Sequence, residues 1–160
     1  MKAATLAQLK KELQHLDREE LLQFCLRLGR FKLENKELIT YLLFYADDED
    51  GYIETVKQQL DNQFAEINTT SYFYIKKSVR KIVKGLKKNI RYSGKKETEA
   101  ELLLYFCKKL LTMKPSIKRN KVLTNTYERQ LALAQKKISG LHEDLRYDFQ
   151  IMINELSATN

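Results

Sequence analysis

Proline occurs once and glycine five times in this chain of 160 residues. Both disfavour helix interiors, proline because it lacks an amide hydrogen and glycine because of its backbone freedom. Apolar residues recur three and four positions apart along nearly the whole chain, the period of an amphipathic helix. Together these features restrict the chain to helices joined by short loops. The expected fold is all-α, with seven or eight helices in antiparallel hairpins, stacked as a bundle or a short solenoid.

The length suits one helical domain over residues 1–160, large enough to bury a core without disulfides or a metal. Hydrophobic residues at 43% and charged residues at 31% exclude both a disordered chain and a membrane-embedded one. The most apolar stretch, Ile39 to Ala46, covers eight positions, where a membrane span needs roughly twenty. The first residues lead into an amphipathic pattern rather than a signal peptide's apolar stretch. A soluble, cytoplasmic protein is therefore expected. Cys25 and Cys107 each lie in an apolar helical segment and are expected to be buried, reduced thiols.

Local signals divide the chain. The first helix carries Leu6, Leu9, Leu13 and Leu16. Asp17 and Glu20 have the capping-box spacing and open a second, with Gly29 near its end. Asn35 is the expected cap of a third helix, which stops at the acidic run Asp47 to Asp50. A fourth runs from Ile53 to Ile67 and a fifth from about Ser71 to Tyr92. Thr98 and Glu101 repeat the capping-box spacing before a sixth, Leu102 to Leu111, which Pro115 follows. Beyond Ser116, Leu123, Tyr127, Leu131, Ala134, Ile138, Leu141, Leu145, Phe149, Met152 and Leu156 form a seam like that of a coiled coil. Gly140 is placed to break it into an antiparallel pair, and the alternative is a dimer contact through these C-terminal helices. Residues 21–28 and 103–110 agree at five of eight positions. Duplication of a helical unit and chance likeness between leucine-rich helices both account for that echo.

The fifth helix is the most distinctive segment. No acidic residue occurs between Glu66 and Glu97. At 100° per residue, Ile75, Val79, Ile82, Val83, Leu86 and Ile90 fall within an arc of roughly 100°. Lys76, Lys77, Arg80, Lys81, Lys84, Lys87, Lys88 and Arg91 occupy a separate arc of about 140°. Residues 76–121 hold sixteen Lys and Arg against three Glu, a net of +13, while the remainder holds thirteen against eighteen, a net of −5. Like charges at helical neighbour spacing repel, and phosphates are the commonest partners that relieve such repulsion. Phe73 projects toward the cationic side, with Tyr72, Tyr74 and Tyr92 nearby, and such rings either stack on unpaired bases or pack on neighbouring helices. The basic face itself has three readings: a polyanion surface, a solvated lysine-rich surface, or a surface for acidic protein. A membrane-surface role lacks the bulky insertable residues it needs.

Other motifs fail on spacing. Placing Gly51 at the sixth position of a calcium loop puts Ala46 first and Lys57 twelfth, where Asp and a bidentate Glu belong. A helix-capping role explains the acidic run better. His15 and His142 have no ligand partner at zinc-binding spacing, and no glycine-rich loop precedes a helix. No catalytic residue, metal or cofactor is assigned, and no enzyme is expected.

The stretch LAQLKKELQHLDREELL, Leu6 to Leu22, is similar to the start of small uncharacterised bacterial helical proteins. The alternating hairpins resemble HEAT-like repeats in rhythm. This resemblance implies a stacked-helix fold and brings no functional residues. The leading expectation is a non-enzymatic module binding nucleic acid or another polyanion through the eight cations of Lys76 to Arg91. The alternative is a protein-interaction scaffold with a protein partner or a second copy, and no membrane partner.

Overall fold

The computed structural model describes residues 1–159. Among them are eight α-helices, one 3-10 turn and no strand, so the chain is all-α at the upper of the two expected helix counts. The helices are α1 (Leu6–Leu13), α2 (Arg18–Phe31), α3 (Leu33–Phe44), α4 (Glu49–Ala65), α5 (Tyr72–Ser93), α6 (Lys96–Leu111), α7 (Lys121–Ser139) and α8 (Glu143–Ala158). Contacts group the chain into two compact units, Met1–Leu43 and Phe44–Asn160.

The first unit is built by local signals. Thr5 and Gln8 form a capping box at α1, and Asp17 and Glu20 form one at α2, with both hydrogen bonds of the second at 2.8 Å. Asn35 does not cap α3. It lies inside that helix, and its side-chain amide donates to the Leu28 carbonyl at 2.8 Å, serving the end of α2 instead. Gly29 lets α3 approach closely, since a Cβ there would lie 3.3 Å from Cδ1 of Ile39. Tyr41 is the one residue of this unit that is buried. Cys25, expected to be buried, is exposed, and so are the large apolar residues of α2 around it. Helical periodicity shows that a face is apolar and leaves open what covers it.

The second unit is a bundle around α6, which packs against α4, α5, α7 and α8. Leu102, Leu103, Leu104, Phe106, Cys107 and Leu110 of α6 are all buried. The C-terminal seam is buried too, except that Leu145 is exposed and Leu131 and Met152 are half-buried. The chain breaks after Ser139 at Gly140, and α7 packs chiefly on α6. The acidic run caps α4, with the Asp48 carboxylate accepting from the Gly51 amide at 3.0 Å. Helix α6 starts at Lys96, so Thr98 is not its cap. Thr98 is buried, and Glu101 pairs with Lys57 at 2.7 Å. The two echoing segments therefore differ in environment, because α2 is exposed while residues 103–110 of α6 form the heart of the bundle.

Candidate nucleic-acid interface

Helix α5 is fixed by its apolar arc. Ile75, Val79, Ile82, Leu86 and Ile90 are buried, and Val83 at the edge of the arc is half-buried. The helix ends at Gly94, whose left-handed φ of 68° accommodates the chain reversal that a β-carbon would strain. Tyr52 of α4 donates to the Asn89 carbonyl at 2.8 Å, and Tyr72 donates to the Ser116 carbonyl at 2.8 Å. These contacts set the rotation of α5, so its cationic arc points away from the bundle.

Of the eight cations, Lys77, Arg80, Lys81, Lys84, Lys87 and Arg91 are exposed, and Lys76 and Lys88 are half-buried. The six exposed ones make no ion pair among the described residues. Three carboxylates of the second unit are engaged with other cations. Glu49 pairs with Lys95 at 2.9 Å, Asp61 with Lys109 at 3.0 Å, and Glu99 with Lys137 at 2.9 Å. The six exposed cations, Lys77 to Arg91, therefore form a stripe without ion pairs about 21 Å long, from fourteen steps of 1.5 Å.

The flanking aromatics divide. Tyr72 is half-buried and hydrogen-bonded, as packing requires. Phe73 is 66% exposed and Tyr74 46%, and their rings meet edge to face with centroids 5.4 Å apart. On the helical wheel Phe73 falls in the middle of the cationic arc, about 20° from Arg80 and Lys84. At the other end of the stripe, Lys87 and Arg91 line a cleft of about 490 Å³ together with Leu103, Leu133 and the Glu99–Lys137 pair. Sequence alone placed Phe73 correctly. It missed this cleft, because Leu133 and Lys137 come from α7.

Elsewhere in the second unit, polar groups are knitted for stability. Desolvation pushes the Asp61 carboxyl up, but hydrogen bonds from Lys109 and Tyr105 outweigh it and hold the group below its ordinary range. Tyr105 is pushed up to about 12 by desolvation and by its hydrogen bond to Asp61. Burial likewise lowers the Lys57 pKa, but Glu101 and Glu54 more than reverse that. No group of three or more His, Cys, Asp or Glu side chains able to hold a metal occurs among the described residues, and no described helix is long and apolar enough to cross a membrane. Compared with known protein families, curated proteins and solved structures, the chain matches none of them.

Proposed function

We propose that the second unit binds nucleic acid through the exposed face of α5, without catalysis. The observation that carries this is the uncompensated cationic stripe. Six exposed Lys and Arg side chains without ion pairs line one helix, and Glu49, Asp61 and Glu99 of the same unit pair with other cations. Contacts from such a face go to phosphates, which position the ligand without reading its sequence. Six phosphate contacts give a log–log salt slope of about −5 on duplex DNA, a loss of roughly a thousandfold in affinity between 50 and 200 mM salt.

The test is fluorescence anisotropy of labelled DNA and RNA oligonucleotides titrated with the chain. Weak sequence preference and that salt slope are expected, and Arg80, Lys84, Lys87 and Arg91 changed together to Glu abolish binding while the helical circular dichroism persists. Absence of any shift at about 50 mM salt, where the electrostatic contribution is strong, overturns the proposal. Heparin competing for the site with equal affinity per charge would identify a general polyanion surface instead.

A second reading, a protein-interaction surface, is favoured by a different part of the chain. In the first unit Leu22, Phe24, Leu28 and Phe31 are each about half exposed or more. Large contiguous apolar patches on soluble proteins mark interaction sites.

A further inference from the structure

We infer that α2 forms a two-fold, antiparallel contact with α2 of a second copy of this chain. A groove of about 720 Å³ runs along this helix, lined by Leu16 and residues of α2 alone. Its lining is symmetric about the midpoint between Gln23 and Phe24. At equal steps on either side lie Gln23 with Phe24, Glu20 with Arg27, Glu19 with Leu28, and Leu16 with Phe31. A two-fold axis perpendicular to the helix at that midpoint sets each position against its mate in the other copy. Closed dimers are built from such self-complementary patches.

The chemistry agrees with the geometry. Glu20 and Arg27 are separated by seven residues, two helical turns, so they point in nearly the same direction, about 20° apart. Facing a second copy, Glu20 meets Arg27 and Arg27 meets Glu20, giving two equivalent ion pairs on either side of the axis. Neither side chain forms an ion pair within its own chain among the described residues. One Glu20 oxygen accepts from the Asp17 amide at 2.8 Å, leaving the other oxygen for Arg27 of the second copy. Phe31 is 80% exposed and would be covered by Leu16 of the second copy. A parallel arrangement would instead set Glu20 against Glu20. The complementary charges of Glu20 and Arg27, at equal distances from the midpoint, are what favour a second copy over an unlike partner. Cys25 lies on the far side of α2 from Glu20 and Arg27, about 140° and 160° away at helical spacing, so the contact leaves it exposed.

The experiment is sedimentation velocity of the full chain over a concentration series. The wild type is expected to pass from a mass of 18.9 kDa to twice that value. Its midpoint should fall between about 1 and 100 μM, the range of a modest interface. Arg27→Glu and Glu20→Arg each set like charges opposite one another and are expected to weaken dimerisation at least tenfold. In an equimolar mixture, the Glu20→Arg copy presents arginine at both positions and the Arg27→Glu copy presents glutamate at both. Opposite charges then face each other at each pair, so heterodimers recover to within about threefold of wild type. Because Glu20→Arg also removes a helix cap, Arg27→Gln serves as a second variant and is expected to weaken the dimer with helicity intact. A wild type that stays monomeric at about 100 μM overturns the inference. So does a dimer indifferent to Arg27→Glu and Arg27→Gln, or single variants that fail to recover on mixing.

Discussion

Thr98 Oγ1 donates to Oε1 of Glu49 at 2.5 Å, tying the first turn of α6 to the first turn of α4. Ser93 donates to the same oxygen, and Lys95 Nζ lies 2.9 Å from Oε2. Three residues around the α5–α6 junction thus converge on one carboxylate, and Thr98 is the buried member. Thr98→Val keeps the shape and removes the donor. A hydrogen bond to a charged group contributes about 1.5–3 kcal/mol, so the variant is expected to lose about 2 kcal/mol in urea denaturation. Ser93→Ala should cost less, since its hydroxyl is nearer solvent. Equal stability of Thr98→Val and wild type would remove the junction from the account of the fold.

The same junction shows where sequence reasoning reached its limit. Asp17–Glu20 and Thr98–Glu101 share one local pattern, yet only the first is a cap. Thr98 is claimed by Glu49 and Glu101 by Lys57, partners forty-nine and forty-four residues away that no local window contains. Residues 21–28 and 103–110 make the same point, because closely similar segments carry an exposed Cys25 and a buried Cys107. Burial depends on what packs against a face, which periodicity does not report. The α5 face was legible for a complementary reason. Its apolar arc and its charge are both encoded within one helix, and what no helical wheel reports, whether another element covers the face, is decided by the exposure of its six cations.

Gln130 is 2% exposed in α7, and its Oε1 has no hydrogen-bond partner among the described residues. A buried, unsatisfied polar atom costs about 1–3 kcal/mol. Gln130→Met preserves length and flexibility while removing the amide, and is expected to raise stability by about 1 kcal/mol. A rise in the urea midpoint at unchanged m-value is the expected signature. A fall would show that the amide is satisfied in solution.

The two thiols should separate cleanly by reactivity. Cys107 is fully buried and pushed up to about 12 by desolvation, so it carries almost no thiolate near neutrality. Cys25 is exposed. An aromatic disulfide reagent at pH 8 is expected to titrate one thiol per native chain and a second only in denaturant. Cys25→Ser should abolish the native reaction. Rapid modification of two native thiols would contradict the packing of α6.

Asp61 makes a pH prediction with a definite sign. Its folded carboxyl sits below the ordinary value of 3.8, because hydrogen bonds from Lys109 and Tyr105 outweigh desolvation. A depressed folded pKa contributes stability that is fully present above the unfolded value and is lost as pH falls through the folded one. The difference in urea midpoint between wild type and Asp61→Asn is therefore expected to be constant from about pH 5 to 8 and to shrink below about pH 4. The side chain is 44% exposed, so solvent screening keeps the whole effect small. A difference that grows on acidification would reverse the assigned sign.

Phe73 separates two modes of nucleic-acid contact. Its ring is 66% exposed, edge-on to Tyr74, and centred on the same arc as Arg80, Lys84 and Arg91. A duplex keeps its bases stacked internally and offers the ring only backbone, whereas a single strand offers base faces. Stacking on an aromatic side chain contributes about 1–3 kcal/mol per base. Phe73→Ala is therefore expected to weaken binding to a labelled single strand about tenfold, to leave duplex affinity within about twofold, and to leave the salt slope of both unchanged. Lys84→Gln should do the opposite, weakening both ligands alike and making the duplex slope shallower by about one. Anisotropy titrations at three salt concentrations read all four quantities. Equal losses on single strand and duplex from Phe73→Ala would assign the ring to shaping the helix start, with phosphates as the sole ligand of the face.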